Sequence, residues 1–330
     1  MNAQLGRRRL LITATAGGLA LLAGDARAIR AATWRWQGAA LGADSTILLA
    51  HPDQAAARQA IADCRTEITR LERIFSLYRA DSALSQLNRQ GQLESPPLEL
   101  VELLAFSARV SAATGGAFDV TVQPLWDLYA GHFANPAANP AGPDDAALAA
   151  TLTRVDWRAI EIDSARIGFR RRGMAVTLNG VAQGYITDRV ADLLRGRGFE
   201  NVLVELGEIR ALGRNTDSDP WRAGIANPND PSAVLLELPL PDVALATSGG
   251  YGTWFDPAHH HHHIFDPVTG RSANRQAAVS VTASRAMVAD VLSTVLMIIS
   301  ADAGKRLLVT FGPAMAYLFS LDGERTTISG

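Results

Sequence analysis

A run of five histidines that leads into an aspartate is the most distinctive feature of the chain. It reads HHHHHIFDPVTG over residues 259–270. An internal purification tag is disfavoured because the run is short and lies in the middle of the chain. Adventitious binding of Zn²⁺ or Ni²⁺ is chemically reasonable, although adjacent imidazoles seldom form a closed site. The third explanation is that only His263 is functional, as a general base that works near neutral pH.

Two side-chain oxygens lie four residues apart in the segment ADVLST, residues 289–294. Asp290 and Thr294 therefore project from one face of a predicted helix, as ligands of a hard cation such as Mg²⁺ would. Taken alone, an Asp and a Thr at this spacing more often form a local hydrogen bond near a helix end.

Glycines flank the predicted start of another helix in the segment NGVAQGYITD, residues 179–188. A ligand can approach the backbone closely at such a point, and the N–H groups of a helix start favour phosphate. The glycine spacing is not that of a P-loop, and a plain turn before a helix would explain it equally well.

A fourth segment, FSLYRADSALSQLN at residues 75–88, combines an aromatic ring with short polar side chains. Tyr78 is suited to stacking on a planar ligand, and Ser82 and Asn88 are suited to capping a helix or ordering a loop. A buried aromatic residue and an ordinary helix cap are the simpler alternatives.

The pattern of apolar residues predicts an α+β fold. A first strand is expected over 34–49, and helices are expected over 55–73 and 98–113. Residues 131–145 read as a surface loop, and Asp322-Gly323 reads as a hairpin turn after a β-rich run. Between them, short strands at 160–162, 175–178, 202–206, 235–238 and 279–282 alternate with helices at 183–197 and 286–300. No internal repeat is visible.

The composition indicates a globular protein. The chain has 330 residues, of which 48% are hydrophobic and 19% are charged, and this length suffices for a substantial buried core. The formal net charge is -2 and the basic residues are scattered, so no strong field favours nucleic acid or an anionic membrane surface.

The N-terminus predicts export. Arg7, Arg8 and Arg9 precede a short apolar run, and small residues follow at the expected cleavage site, so we expect a signal peptide over residues 1–28 and a single mature domain over 29–330. The paired arginines resemble a twin-arginine signal, which exports folded proteins, and an ordinary Sec signal is the alternative. Cys64 is the only cysteine, which excludes an intramolecular disulfide.

The order of these segments resembles the ApbE family of FAD:protein FMN transferases. The matching segments are, along the chain, FSLYRADSALSQLN, TGGAFDVTVQPL (114–125), NGVAQGYITD, VELGEIRALG (204–213), ATSGGY (246–251), HHIFDPVTG and ADVLST. Together they span nearly all of the predicted mature chain, and several ordered motifs are far more specific than one alone. The export signal and the short internal variations look most similar to the branch that serves nitrous oxide respiration.

The resemblance implies an ApbE-like, T-fold-like architecture with mixed or antiparallel sheets and packed helices. It implies a periplasmic enzyme that uses Mg²⁺ to move FMN from FAD to a Thr or Ser hydroxyl of an acceptor flavoprotein, with release of AMP. That acceptor would be membrane-bound or periplasmic, such as a respiratory regulator or an electron-transfer protein. An FAD pyrophosphatase that yields FMN and AMP, and a non-catalytic flavin or metal carrier that uses the histidine run, are the alternatives.

The resemblance also implies a role for each matching residue. His263 would be the catalytic base and Asp266 would support its loop. Tyr78 would lie against the isoalloxazine ring and Asp119 would organise the site. The remaining FAD contacts would be Gln183, Gly207, Glu208, Thr247 and Ser248, and the Mg²⁺ ligands would be Asp290, Thr294 and the backbone carbonyl of Ala182.

Two positions depart from the family pattern. The family commonly has Lys where this chain has Gln183, so a positive charge near the phosphates or the acceptor is replaced by a neutral amide. The family also usually has two consecutive glycines where Gly207 is followed by Glu208, which predicts a less permissive backbone there.

Overall fold

The computed structural model describes residues 32–228 and 230–330. The predicted signal peptide lies outside these residues. The helices, in chain order, are α1 (Gln54–Phe75), α2 (Ala83–Gln90), α3 (Leu98–Ala113), α4 (Gln123–Phe133), α5 (Asp145–Leu152), α6 (Ala182–Gly196), α7 (Ala286–Leu296) and α8 (Ala301–Thr310). The strands are β1 (Ala32–Ala40), β2 (Ala43–His51), β3 (Gln92–Glu94), β4 (Ile160–Ile162), β5 (Arg166–Phe169), β6 (Val202–Glu205), β7 (Ile209–Leu212), β8 (Trp221–Asn227), β9 (Asp230–Leu240), β10 (Ala244–Gly249), β11 (Ala278–Ala283), β12 (Ala314–Phe319) and β13 (Arg325–Ser329).

An eight-stranded antiparallel sheet forms the centre of the molecule. Its strand order is β1-β2-β6-β7-β10-β11-β12-β13, so the sheet joins segments from both ends of the described chain. A three-stranded sheet, β3-β5-β4, and the two-stranded ribbon β8-β9 accompany it, and every strand pair in the described residues is antiparallel. The expected α+β fold with antiparallel sheets is therefore confirmed.

The alternation of side chains along the strands builds one core on each face of this sheet. Ile47 and Leu49 of β2 point into the larger core, which includes buried residues of α1, α3, α6 and α7. Leu48, between them, points to the other face, where the β8-β9 ribbon covers the sheet with Trp221 and Leu240. Strands that are apolar on both faces suit this arrangement because both faces are covered.

The predicted helices correspond closely to the observed ones. The first begins where the Asp53 carboxylate accepts hydrogen bonds from the N–H groups of Ala55 and Ala56, and its buried face carries the predicted apolar stripe. The helix predicted over 98–113 is α3, which two glycines with positive φ follow. The hairpin turn predicted at Asp322-Gly323 joins β12 to β13.

Three element predictions are wrong, each for a reason that the structure shows. Residues 34–49 are not one strand but the hairpin β1-β2, which turns at Leu41 and Gly42, both with positive φ. Residues 175–178 form no strand, because the side chain of Asn88 pairs with the backbone N–H and C=O of Val176.

The predicted helix 286–300 ends early, since Ser300 caps the separate helix α8. Helices α2, α4, α5 and α8 were not predicted, and the surface loop expected over 131–145 is limited to the residues between α4 and α5. Among the described residues, no helix combines the length and apolarity needed to span a bilayer.

Candidate active site

A single cleft collects residues from almost every chemical segment of the sequence. The predicted site residues that line it are Tyr78, Asp119, Gln183, Ser248, His263, Asp290 and Thr294. They come from the α1-α2 connection, the turn before α4, the start of α6, the end of β10, the histidine segment and α7. The segments are distant in sequence, so the fold, and not local chain geometry, brings them together.

The Asp290 carboxylate lies where α7 crosses the start of α6. Only 3% of this residue is exposed, and its Oδ2 accepts a hydrogen bond from the N–H of Gly184 at 3.0 Å. Only glycine fits at position 184, because a β-carbon there would overlap the carbonyl oxygen of Ala286. The close crossing therefore fixes the carboxylate beside the first turn of α6.

Hydroxyl groups surround the same point. Ser248 Oγ, at the end of β10, lies 3.2 Å from Thr294 Oγ1 and 2.8 Å from Ser293 Oγ. Ser293 Oγ in turn donates to the carbonyl oxygen of Asp290. The predicted face that carries Asp290 and Thr294 thus exists, and Ser248, predicted as an FAD contact, joins it from the neighbouring strand.

His263 faces the cleft from the opposite segment. Its Nδ1 lies 3.3 Å from the carbonyl oxygen of Thr253. A carbonyl oxygen only accepts hydrogen bonds, so this contact requires the proton on Nδ1 and leaves Nε2 as the basic nitrogen. Asp266 does not line the cleft but orders the turn that follows: its Oδ1 accepts from the N–H of Val268, and its carbonyl oxygen accepts from the N–H of Gly270.

The other histidines of the run have separate surroundings. His259 is exposed and stacks on Trp254 at 4.9 Å between ring centroids, and His261 packs among aromatic residues that include Tyr129. The rings therefore do not converge on one point. Within the described residues there is also no group of three or more His, Cys, Asp or Glu side chains suited to holding a metal ion.

His262 is a buried structural residue. Its Nδ1 accepts the N–H of Ile264 at 3.2 Å, and its Nε2 lies 3.1 Å from Asn274 Oδ1. Its backbone N–H and C=O both bond to the Ser272 hydroxyl. Burial lowers the pKa of His262 to about 4, so the ring is neutral near pH 7. It holds the residues on either side of it, including His263, in place.

Asp119 organises the floor of the cleft. Its Oδ1 accepts from the N–H and the hydroxyl of Thr121, and its Oδ2 accepts from the N–H of Trp157. Burial raises the pKa of Asp119, and these hydrogen bonds oppose that effect. Tyr78 differs, since 61% of it is exposed at the cleft, where its ring is available to a planar ligand.

The remaining predicted contacts stand behind the cleft wall. Neither Ala182, Gly207, Glu208 nor Thr247 lines the cleft. The Glu208 carboxylate instead accepts from the N–H of Thr247 at 3.3 Å, which ties the β6-β7 turn to β10. Gly207 has a φ of +96° and packs so closely on the Gln183 amide that a β-carbon would come within 2.6 Å of its Nε2. The roles of Gly207, Glu208 and Thr247 toward FAD, and of the Ala182 carbonyl toward Mg²⁺, stay predictions.

Sequence reasoning missed one acidic residue of the cleft and several supporting ones. Asp44 lines the cleft directly after the β1-β2 turn, which was hidden because that hairpin was predicted as a single strand. Asp256, whose carboxylate accepts from the N–H groups of His260 and His261, also escaped notice. An Asp-Pro pair favours the start of a turn, so Asp256-Pro257 was the available signal.

The charge of the cleft is unusual for a site that would receive phosphate. Three carboxylates line it, those of Asp44, Asp119 and Asp290, whereas none of the lining residues in the described part of the chain is Lys or Arg. A pyrophosphate placed here would meet negative side chains, and a hard cation held by carboxylate and hydroxyl oxygens would relieve that repulsion. The oxygen donors of Asp290, Thr294 and Ser248 fit Mg²⁺ in chemistry.

Known proteins of similar sequence agree with the pattern of the segments. The ApbE family model matches residues 41–319. An FAD:protein FMN transferase of Vibrio cholerae is 34% identical over 257 residues, which are 74% of this chain and 76% of that protein. The FAD:protein FMN transferase of Escherichia coli K12 is 28% identical and covers 79% of this chain and 76% of its own length.

Solved structures of similar fold lead to the same family. The flavin transferase ApbE from Vibrio cholerae superposes with a TM-score of 0.77 at 29% identity, covering 91% of this chain and 97% of its own. The apo flavinyl transferase ApbE from Pseudomonas stutzeri gives a TM-score of 0.74 at 27% identity, with 92% and 96% covered. With a family model that matches most of the sequence and a common fold over nine tenths of it, the chain belongs to the ApbE family.

Proposed function

We propose that the chain is an FAD:protein FMN transferase that moves the FMN half of FAD to a Thr or Ser hydroxyl of an acceptor protein and releases AMP. The observation that carries the proposal is the meeting of His263, Asp290 and Thr294 in one cleft. Such a transfer needs a base, a set of oxygen ligands for a cation and a surface that binds the flavin.

The cation is assigned to the Asp290 end of the cleft. Asp290, Thr294 and the carbonyl of Ala182 would hold Mg²⁺, which would neutralise charge on the pyrophosphate and stabilise the charge that develops on the leaving phosphate. A cation is needed because, among the described residues, no Lys or Arg lines the cleft. Gln183 supplies only hydrogen bonds where a cationic side chain would supply charge.

The proton is assigned to the His263 side. With Nδ1 bonded to the carbonyl of Thr253, Nε2 of His263 accepts the proton of the acceptor hydroxyl. The hydroxyl oxygen then forms a bond to the FMN-side phosphorus, in line with the bridging oxygen. The bond from that phosphorus to the bridging oxygen breaks, and AMP leaves with the electron pair.

Substrate binding supplies the alignment of these groups. The exposed ring of Tyr78 stacks on the isoalloxazine, and Asp119 keeps the facing turn in place through its backbone bonds. Contacts far from the phosphorus thereby position the bond for attack. Asp266 and His262 act on His263 indirectly, through the conformation of its loop.

An FAD pyrophosphatase would use the same groups with water in place of the acceptor hydroxyl. A carrier that depends on the histidine run has less support, because His259 and His261 are held apart by different aromatic partners.

The location of the protein is proposed from its N-terminus: a twin-arginine-like signal delivers it folded to the periplasm. The acceptor is then a periplasmic or membrane-bound flavoprotein, such as a respiratory regulator or electron-transfer protein.

The acceptor is accessible to a proteomic experiment. Periplasmic and membrane proteins from cells with and without this chain would be separated under denaturing conditions, scanned for flavin fluorescence and sequenced by mass spectrometry. The proposal expects an FMN-modified Thr or Ser peptide only in cells that contain the chain. Identical flavin bands in both samples would contradict it.

A further inference from the structure

Helices α6 and α7 both begin at residues that cannot cap them. The N-cap of α6 is Val181 and that of α7 is Arg285, and neither makes a side-chain capping hydrogen bond. The first N–H groups of a helix have no partner within it, so these two buried helix starts need acceptors from elsewhere.

Each helix receives its acceptor from the other. Asp290 of α7 accepts the N–H of Gly184 in the first turn of α6. Asp188 of α6 accepts the N–H of Ala286 through Oδ1 and the N–H of Met287 through Oδ2, both at 3.0 Å, in the first turn of α7. The pairs 184/188 and 286/290 each span one helical turn, so both contacts lie on the facing surfaces.

This reciprocal cap ties Asp188 to the candidate metal ligand. Only 1% of the Asp188 side chain is exposed, and Asp290 is similarly buried. If α7 moved away from Asp188, its Asp290 side chain would move relative to Gly184 and to the start of α6, which also carries Ala182. The separation of the proposed metal ligands on the two helices is therefore set at the Asp188 contact.

Charged neighbours reinforce Asp188 and provide a natural control. Arg285 Nε lies 3.1 Å from Asp188 Oδ2, and Arg285 Nη2 lies 3.0 Å from Asp192 Oδ2. The buried Arg210 is also close to Asp188 and donates to the carbonyl oxygen of Ser284. Asp192 shares Arg285 with Asp188 through a side-chain ion pair, and 39% of the Asp192 side chain is exposed.

We infer that Asp188 is a positioning residue for the cation site, which presets the distance between the Asp290 carboxylate and the first turn of α6. This inference rests on the proposed role of Asp290 as a metal ligand. Supporting residues of this kind typically change metal affinity by about 10-fold to 100-fold when they are lost.

The test measures metal binding directly, without turnover. Mn²⁺, which takes the same oxygen ligands as Mg²⁺, is titrated into the purified full mature chain with FAD present, and free Mn²⁺ is followed by electron paramagnetic resonance. We expect Asp188→Asn to raise the dissociation constant about tenfold. Asp192→Asn, which loses the Arg285 contact alone, should leave it unchanged. Wild-type affinity in folded Asp188→Asn protein would overturn the inference.

A second measurement covers the case in which Asp188→Asn does not fold. In the wild-type protein, Mn²⁺ binding should slow hydrogen exchange at the amides of Ala286 and Met287, because metal binding at Asp290 stabilises the same helix contact. Amides at the start of α3, remote from the cleft, serve as the control. Unchanged exchange at residues 286 and 287 under saturating Mn²⁺ would overturn the inference.

The two proposals fail in distinguishable ways. If Asp290→Asn binds Mn²⁺ as tightly as the wild-type chain, the metal assignment is wrong and the inference about Asp188 falls with it. If Asp290→Asn weakens binding and folded Asp188→Asn does not, the metal assignment stands and only the positioning role is overturned.

Discussion

Asp290 carries two functions at the residue scale, since it caps α6 and is assigned to the cation. Asparagine keeps one carbonyl oxygen that can accept the Gly184 N–H, but it removes the negative charge. The Asp290→Asn chain should therefore keep its fold and lose at least about 100-fold in Mg²⁺-dependent FMN transfer. Circular dichroism and AMP release in a magnesium titration check the two halves of this expectation. Activity and metal dependence equal to wild type would refute the assignment.

His263 can be separated from its neighbours in the histidine run. The His263→Ala chain lacks the proposed base, and transfer should fall by about 10²-fold to 10⁴-fold at neutral pH. His260→Ala is the matched control because the His260 side chain is 72% exposed, and it should retain wild-type turnover. Initial rates of AMP release measure both variants. Equal losses in the two variants would contradict the assignment of the base to His263.

At the scale of elements, the conformation of the loop from Thr253 to Asn274 depends on the neutral imidazole of His262. Burial lowers the pKa of His262 to about 4 from its usual 6.5, so the unfolded chain binds a proton more readily than the folded one between these values. The stability that His262 contributes is complete above about pH 6.5 and is lost as the pH falls toward 4. The free energy of unfolding that is lost when His262 is fully protonated amounts to about 3 kcal/mol.

Urea unfolding at pH 7.5 and 4.5 tests this expectation against a His262→Gln control, which lacks the titrating group. The wild-type chain should lose more unfolding free energy than the variant over that interval, by about 2.5 kcal/mol. An equal loss in both proteins would show that groups other than His262 set the acid sensitivity.

Elements with one dominant local signal were predictable. The regular apolar stripe of α1 and the glycines after α3 gave the correct helices, and Asp322-Gly323 gave the correct turn. Prediction failed where a tertiary contact overrode the local pattern. The Asn88 side chain takes up the backbone hydrogen-bonding capacity of Val176, which is then not available to a strand. The β1-β2 turn places Leu41 in a positive-φ conformation that leucine rarely adopts.

The site was predictable to the extent that its residues lie in distinctive segments. His263, Asp290 and Thr294 were identified because they stand in HHIFDPVTG and ADVLST, and they do share a cleft. The roles of Asp188 and His262 could not be foreseen, because each depends on a partner from another segment or from across its loop. Burial and partner identity decide between a structural and a chemical role, and neither can be read from residue spacing.

At the scale of the whole molecule, the sheet gives the site its rigidity. Covered by helices on one face and by the β8-β9 ribbon on the other, it holds β10 and the two helices that carry the proposed cation ligands. Twin-arginine export, which we propose for this chain, carries proteins that are already folded. The one cysteine, Cys64, is buried in this fold.

Replacing Arg7 and Arg8 together by Lys should block that export. Twin-arginine transport reads the arginine pair, whereas a Sec signal requires only a basic region. Arg9→Lys is the control and should leave export intact. Immunoblots of periplasmic and cytoplasmic fractions give the distribution. Unchanged periplasmic protein in the paired variant would establish the Sec route.

Transfer of FMN to a protein hydroxyl is the activity that we propose for the cleft. Its most direct measurement is the yield of AMP, free FMN and protein-bound flavin after the purified mature chain is incubated with FAD and Mg²⁺, with and without periplasmic and membrane proteins from cells that lack it. We expect AMP in equal amount to protein-bound FMN, formed only when those proteins are present. AMP and free FMN formed at the same rate without them would contradict it.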